Sequence, residues 1–190
     1  MNTVVPTPNS SETRSLAYPL DEFYARSGLT LPPLEQVDAE AVPEPGKSLL
    51  VHERDMTSTL ENFHKTGVHL RLVSRERRGD AYFREVVLVL DGSEKPVEFG
   101  AIKIHLGPFA EKAREAILQE RFPLGHILKD FAIDYHSRPS AFLRVASDKT
   151  INDLLGLSGV HLLYGRRNTL LNRSGESLAE IVEILPPAAR

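Results

Sequence analysis

Cysteine is absent from this 190-residue chain. The absence excludes a disulfide framework, a thiol nucleophile and a metal site built on thiolates. Long apolar runs are also absent, since none approaches the roughly 18 residues that a membrane-spanning helix requires. The first residues, MNTVVPTPNSSETRS, lack the basic region and the apolar stretch of a secretory signal. We therefore expect a cytoplasmic protein with no membrane span.

A large charge excess of either sign is missing as well, because the formal net charge is only -3 at pH 7. Such a balance gives no overall footprint for nucleic acid or for an acidic membrane surface, and we expect no nucleic-acid partner. The chain is long enough for one globular domain with its own core, alone or with a tail. We expect a monomer or a weak homo-oligomer.

The organisation of the chain changes near residue 46. Residues 1 to about 17 are rich in Ser, Thr, Asn and Pro without a periodic apolar pattern, which is typical of a mobile tail. A short helix is predicted between Tyr18 and Leu34, and VDAEAVPEPGK is interpreted as a Pro-rich linker. We expect residues 1–45 to form a flexible extension and residues 46–190 to form a single domain.

Hydrophobic periodicity predicts the elements of that domain. The helical spacing and the capping residues of SLLVHERDMTSTLENFHKTG favour two short helices with a break near Asp55. A period of two then predicts strands in VHLRLVSRERR, AYFREVVLVLDG and PVEFGAIKIHL. Further helices are predicted in PFAEKAREAILQERF, PLGHILKD and KTINDLLGL, and further strands in FAIDY, AFLRVAS and a final hairpin. Hairpins interleaved with a few helices indicate an α+β fold with a largely antiparallel sheet.

Arg84 lies within an apolar strand. By alternation it shares a face with Tyr82 and Val86, while Phe83 and Val87 point the other way. A guanidinium in such a strand needs a partner, because it cannot lose its charge. Two roles stay open: an internal ion pair or a strand-end residue that reaches water, and a fork that binds a ligand carboxylate.

Glu183 raises the same question in the last strand, LAEIVEIL. It shares a face with Ile181 and Leu185, whereas Glu180 lies on the opposite face and is the better candidate for solvent. Burial raises the pKa of a carboxylic acid, which suits Glu183 to proton transfer or to bonding a hydroxyl near neutral pH. The alternative is a structural ion pair between Glu183 and Arg84.

Other motifs that carry chemistry are not found in the sequence. The seven histidines are scattered without HxxxH or HxH-carboxylate spacing, so no metal site is expected. There is no glycine-rich phosphate loop and no GxSxG motif. The arginine clusters at 75–78 and 166–167 are of a kind that usually forms solvated surfaces.

Five stretches, taken in order, resemble the chorismate–pyruvate lyase family, which makes 4-hydroxybenzoate. They are LLVHERDMTSTLE, REVVLVLDGSEKPVEFG, FPLGHIL, YGRRNTLLNRSGESL and EILPP, and they spread over residues 48 to 187. The resemblance implies a chorismate lyase-like fold, with a six-stranded antiparallel sheet and helices packed on one side. It also implies an enzyme that eliminates pyruvate from chorismate without a cofactor.

The resemblance assigns residues to a product site. Arg84 would hold the ring carboxylate with help from the backbone N–H groups of Met56 and Leu124, and Glu183 would bond the 4-hydroxyl. Arg84 and Glu183 are accordingly the catalytic candidates. The enolpyruvyl carboxylate needs a further cation, for which the candidates are Lys103, His126, Arg144, Arg166 and Arg167. Arg166 and Arg167 are favoured, because GRR belongs to the shared pattern.

Departures from the family leave alternatives open. The stretch from Arg138 to Gly159 is longer than in compact bacterial lyases. One alternative is a related enzyme that acts on a modified chorismate or aromatic acid in secondary metabolism. Another is a non-catalytic domain that binds small carboxylates, since the effector domains of some bacterial transcription regulators share this fold. The segment before Ser48 is too short and too weakly basic for a winged-helix DNA-binding domain, which favours the lyase.

Overall fold

A computed structural model of the protein describes residues 15–187, so most of the predicted tail, residues 1–14, lies outside the described residues. Within the described part, the α-helices are α1 Leu20–Arg26, α2 Gly46–Leu50, α3 Met56–His64, α4 Glu111–Leu118, α5 Leu124–Asp130 and α6 Lys149–Leu155, with a single 3₁₀ turn at Ala39–Ala41. None of these helices is both long and apolar enough to cross a membrane.

The strands form one antiparallel sheet. Their bounds are β1 Leu34–Val37, β2 Val68–Arg78, β3 Ala81–Leu90, β4 Pro96–His105, β5 His136–Ala146, β6 Leu162–Leu171 and β7 Ser177–Leu185. The spatial order is β1-β5-β6-β7-β4-β3-β2. The predicted α+β class with an antiparallel sheet is confirmed, with seven strands in place of about six because β1 pairs with β5 at one edge.

The central strands are buried on both faces, because helices cover each side of the sheet. Side chains that alternate along β3, β4 and β7 therefore enter two separate apolar cores. On one face Phe83, Phe99 and Val182 pack in a core that includes residues of α1 and α6. On the other face α3, α4 and α5 pack over the sheet. Helices were expected on one side of the sheet only. In the structure α3, α4 and α5 cover one face, and α1 and α6 cover the other.

Residues 15–45 are placed differently from the expected flexible extension. α1 buries Leu20, Phe23 and Tyr24 against the sheet, and the Tyr24 hydroxyl donates to Asp148 at 2.8 Å. β1 adds a strand beside β5. The domain boundary predicted at residue 46 therefore falls inside a packed structure.

The helices before the sheet form as predicted, and one predicted strand does not. The Asp55 side chain accepts a hydrogen bond from the Ser58 N–H at 2.8 Å and caps α3, which separates α3 from α2. The strand prediction for FAIDY is wrong, because Phe131 and Ala132 close α5 in a turn, with Ala132 at φ 50°. β5 begins after this turn, at His136.

Candidate functional site

A small cavity lies between the sheet and the first turns of α3 and α5. Its volume is about 60 Å³, which limits a ligand to a compact molecule. The sheet side is formed by residues of β2, β3, β4, β7 and β6, and the helix side by residues at the starts of α3 and α5. The polar lining residues are Asp55, Thr57, Arg84, Glu98, Asn168 and Glu183, and most of the others are apolar.

The strand registers place the sheet side of the cavity in rows. One row crosses four strands through Arg84, Ile102, Ile181 and Asn168, which are successive cross-strand partners. All four line the cavity. The row therefore carries a guanidinium at one end, an amide at the other and two apolar side chains between them.

A second row lies two residues further along the strands, through Val86, Gly100, Glu183 and Arg166. Gly100 occupies the middle of the cavity floor, where a side chain would take up space. An added Cβ would lie 2.9 Å from Glu98 Oε1 and 3.5 Å from the Val182 carbonyl oxygen. The missing side chain at Gly100 keeps the floor of the cavity open.

Arg84 is 1% exposed, and its Nε and Nη1 atoms are buried without hydrogen-bond partners. Burial lowers the pKa of Arg84 to about 10. The electrostatic effects of the nearby Tyr82 and Glu120 side chains oppose that change. A pKa of about 10 leaves the guanidinium charged at neutral pH. Neither of the structural roles considered for Arg84, an ion pair with Glu183 or a strand-end residue that reaches water, is found in the structure.

Glu183 instead pairs with Arg166, its direct cross-strand neighbour. Arg166 donates its Nε–H to Glu183 Oε2, and both side chains are buried. The other donors of Arg166 reach the carbonyl oxygens of Leu50 at 3.2 Å, His52 at 3.0 Å and Arg54 at 3.1 Å. Arg166 thus fastens the loop between α2 and α3 to the sheet, and its donors are used within the protein.

Arg167 lies on the opposite face of β6 and does not line the cavity. Its strand partners are Ala141 and Val182, whose side chains belong to the core beneath α1 and α6. Of the two arginines expected to bind a second carboxylate, one is therefore engaged with Glu183 and the other points away from the site.

The remaining cation candidates lie elsewhere. Lys103 is on the opposite face, where its Nζ lies 3.4 Å from Glu180. Glu180 is 6% exposed, so the prediction that it reaches solvent is wrong: Lys103 and His105 accompany it on the buried face. His126 bonds Glu61 at 2.8 Å, and Arg144 pairs with Glu35.

The starts of α3 and α5 bring backbone N–H groups to the cavity. Met56 and Leu124 are the first residues of these helices, and both line the cavity. First-turn N–H groups have no acceptor within their own helix. The two helix starts approach closely because of Gly125, where a Cβ would lie 2.7 Å from Asp55 Oδ1 and from Thr57 Oγ1.

Two cavity residues were not identified from the sequence. Glu98 is 4% exposed, and its Oε2 is buried without a hydrogen-bond partner. Asn168 accepts a hydrogen bond from Ser137 Oγ at 3.0 Å, while its Nδ2 donor has no partner. Alternation would have indicated Glu98, which shares a face of β4 with Gly100 and Ile102. Nothing in the sequence beyond its position in a strand indicated that Asn168 lines the cavity.

Comparison with known proteins gives likenesses of fold. No protein-family model matches the chain, and no curated protein matches it. Among solved structures, PhnF from Mycobacterium smegmatis is 12% identical with a TM-score of 0.55, over 71% of this chain and 64% of that chain. The effector domain of PhnF is 12% identical with a TM-score of 0.50, over 69% and 87%. A GntR-family transcriptional regulator from Enterococcus faecalis V583 is 12% identical with a TM-score of 0.41, over 65% and 93%.

These findings contradict the expectation of a chorismate–pyruvate lyase. The likenesses with TM-scores of 0.50 or more include PhnF and its effector domain, and the lyase family itself is not confirmed. Glu183, which the resemblance assigned to the 4-hydroxyl group, is also paired with Arg166. At identities this low the likenesses establish architecture alone, and the chain has the chorismate lyase-like α+β fold.

Proposed function

We propose that this domain binds a small organic carboxylate in the cavity, as a binding domain that performs no reaction on it. The observation that carries the proposal is Arg84, a charged guanidinium that lines the cavity and is buried with two unpartnered nitrogen atoms. A buried charge without a partner costs several kcal/mol, on the order of magnitude known for ions moved out of water. A carboxylate ligand would supply the missing partner.

The other unpartnered atoms support the same proposal. Among residues 15–187, seven buried side-chain nitrogen or oxygen atoms have no hydrogen-bond partner, and four of them belong to Arg84, Glu98 and Asn168 around this cavity. Buried polar atoms in proteins are nearly always bonded, so a concentration of exceptions in one place calls for an explanation. A polar ligand explains all four atoms together.

The geometry suits a carboxylate at the Arg84 end of the cavity. A guanidinium presents parallel N–H groups that match the two oxygens of a carboxylate. Elsewhere in the lining, the start of α3, a nine-residue helix, brings Met56 and Thr57 and the positive end of the helix dipole to the same cavity. Apolar Ile102 and Ile181 lie beside the Arg84 end and suit the organic part of the ligand.

Binding without chemistry is favoured by the state of Glu183. A general acid or base must be free to reach the ligand, whereas the Glu183 carboxylate is held by Arg166. The effector domain of PhnF, which shares the fold, is consistent with a ligand-binding role for this architecture.

Isothermal titration calorimetry with benzoate tests the proposal. Benzoate is expected to bind, and benzamide, which has the same shape without the charge, is expected to bind far more weakly. Arg84→Met should weaken benzoate binding by about 100-fold, the equivalent of about 3 kcal/mol for two hydrogen bonds to a charged group. Arg167→Met is the matched control, because Arg167 lies on the other face of the sheet. Benzoate affinity that is equal in wild type and Arg84→Met would refute the proposal.

A further inference from the structure

Among the described residues, Glu98 is an acid of the cavity with neither a salt bridge nor a hydrogen bond to its Oε2. It lies on β4 opposite Leu88 and points to the same face as Gly100, with Oε1 placed over the Gly100 backbone. Among the described residues no salt bridge reaches its carboxyl group, and Oε2 is buried and unbonded. Glu98 is therefore an unpartnered polar group that faces the ligand space, separate from the Glu183–Arg166 pair.

The surroundings of Glu98 favour its neutral form. Burial raises the pKa of Glu98 well above its ordinary value, and the neighbouring acids Glu183 and Asp55 raise it further. Arg166 opposes this effect, but its Nε–H is bonded to Glu183 and its other donors to backbone carbonyls. Without a cation of its own, a buried carboxyl group takes up a proton and becomes a hydrogen-bond donor.

We propose that Glu98 is a specificity-determining residue: as a neutral acid it donates its O–H to an uncharged oxygen, a hydroxyl or carbonyl, at the end of the ligand remote from Arg84. The inference rests on the proposed function, because it names the class of carboxylate that the cavity accepts. That class is monocarboxylates that carry an uncharged oxygen acceptor at the far end.

The strand geometry sets the distance between the two ends. Arg84 is the cross-strand partner of Ile102, and Glu98 lies four residues before Ile102 on the same face of β4. Four residues of strand span about 13 Å. Glu98 Oε1 lies over Gly100, two residues nearer to Ile102, which shortens that distance and leaves room for one ring or a short chain between the two polar groups.

The same surroundings exclude a second charge on the ligand. A far-end carboxylate would lie near the carboxylates of Glu183 and Asp55, which also line the cavity, and Arg166 could not balance its charge because the donors of Arg166 are already bonded. Like charges at close range cost free energy in a buried site. Dicarboxylates of the same length should therefore bind more weakly than matched monocarboxylates.

Calorimetry with three para-substituted benzoates of similar size tests the inference on the full chain. In wild type, 4-formylbenzoate should bind about 10-fold more tightly than 4-methylbenzoate, because its carbonyl accepts a hydrogen bond that the methyl group cannot. Terephthalate should bind about 10-fold more weakly than 4-methylbenzoate, which corresponds to about 1.4 kcal/mol. These comparisons among ligands need no variant.

Glu98→Leu should remove the preference for 4-formylbenzoate over 4-methylbenzoate. Glu85→Leu is the matched control, since Glu85 is a buried acid on the opposite face of the sheet, and it should keep the preference. Affinities that depend on Arg84 but are equal for the three ligands in wild type would overturn the role of Glu98 and leave the proposed function standing. A preference that persists in Glu98→Leu would do the same. Failure of all the benzoates to bind, or binding that ignores Arg84→Met, would overturn both.

Discussion

Arg166 and Glu183 are cross-strand neighbours on β6 and β7 and form a buried ion pair. The pairing of Arg166 contrasts with the second buried arginine, Arg84. Arg166 is 0% exposed but has a carboxylate and three carbonyl oxygens as acceptors. Arg84 is almost equally buried, yet two of its nitrogens have no acceptor. An arginine is therefore fully bonded within the protein at position 166 and lines the cavity with unpartnered atoms at position 84.

Replacement of Arg166 by Met should destabilise the protein by about 3–5 kcal/mol, because it leaves Glu183 as a buried charge without its partner. The loop between α2 and α3 would also lose its attachment to the sheet. Urea unfolding followed by circular dichroism measures the change, with Arg167→Met as the control at the neighbouring position. A loss below 1 kcal/mol would show that Arg166 does not hold this loop.

Replacement of Arg84 by Met should have the opposite effect on the ligand-free protein. It removes a buried charge without a partner and supplies an apolar side chain of similar length, so we expect stability to rise by about 1–4 kcal/mol. Thermal unfolding without added ligand gives the measurement. A lower melting temperature in Arg84→Met would mean that Arg84 has an internal partner in the free protein.

Much of the sheet could be predicted from alternation alone. β2, β3 and β4 appear in the sequence as runs of period two, and the faces assigned to Arg84 and Glu183 agree with the observed registers. β1 could not be predicted, because LEQV is a short segment whose strand state depends on β5 beside it. Helices were predicted for the segments of α1 and α6, but not that they cover the other face of the sheet, because the hydrophobic pattern of a helix does not show on which side of a sheet it packs.

The candidate site was harder to predict, because it depends on how deeply each side chain is buried and on which charged groups form ion pairs. The turn closes between Asn172 and Glu176. A register shift between Leu170 and Leu171 then places Arg166 opposite Glu183, so the pairing depends on an irregularity that counting from the turn does not reveal. The isolation of Glu98 could not be predicted in this way either. It follows from Arg166 being engaged elsewhere, which depends on the carbonyl groups of Leu50 at the end of α2 and of His52 and Arg54 in the loop that follows.

Gly165 should not tolerate a side chain. A Cβ at this position would lie 2.3 Å from the Glu183 carbonyl oxygen, and backbone on a paired strand cannot move away without breaking the ladder between β6 and β7. We expect Gly165→Ala to cost about 2–3 kcal/mol. Gly46→Ala is the control, because its Cβ would meet only Val42 at 3.5 Å, and it should be neutral or slightly stabilising. Equal unfolding midpoints in the two variants would contradict this account.

Glu98 should make stability depend on pH in a defined direction. Its folded-state pKa is raised above the ordinary value of 4.5, so the folded protein keeps this proton at a pH where the unfolded chain releases it. The resulting stabilisation is fully present below about pH 4.5 and is lost as pH rises through the raised pKa, by up to about 1.4 kcal/mol per pH unit.

Glu98→Gln isolates this effect, because the amide cannot titrate while Glu183, Asp55 and Arg166 remain in place. Urea unfolding of both proteins from pH 4.5 to pH 8 gives the free energy of unfolding of the wild type minus that of Glu98→Gln. This difference should fall as pH rises. A difference that stays constant would mean that Glu98 titrates alike in the folded and unfolded chain, and a rising difference would mean that it is held as a carboxylate. In either case Glu98 could not act as a buried donor for an uncharged ligand oxygen, because that role requires the proton to be retained in the folded state.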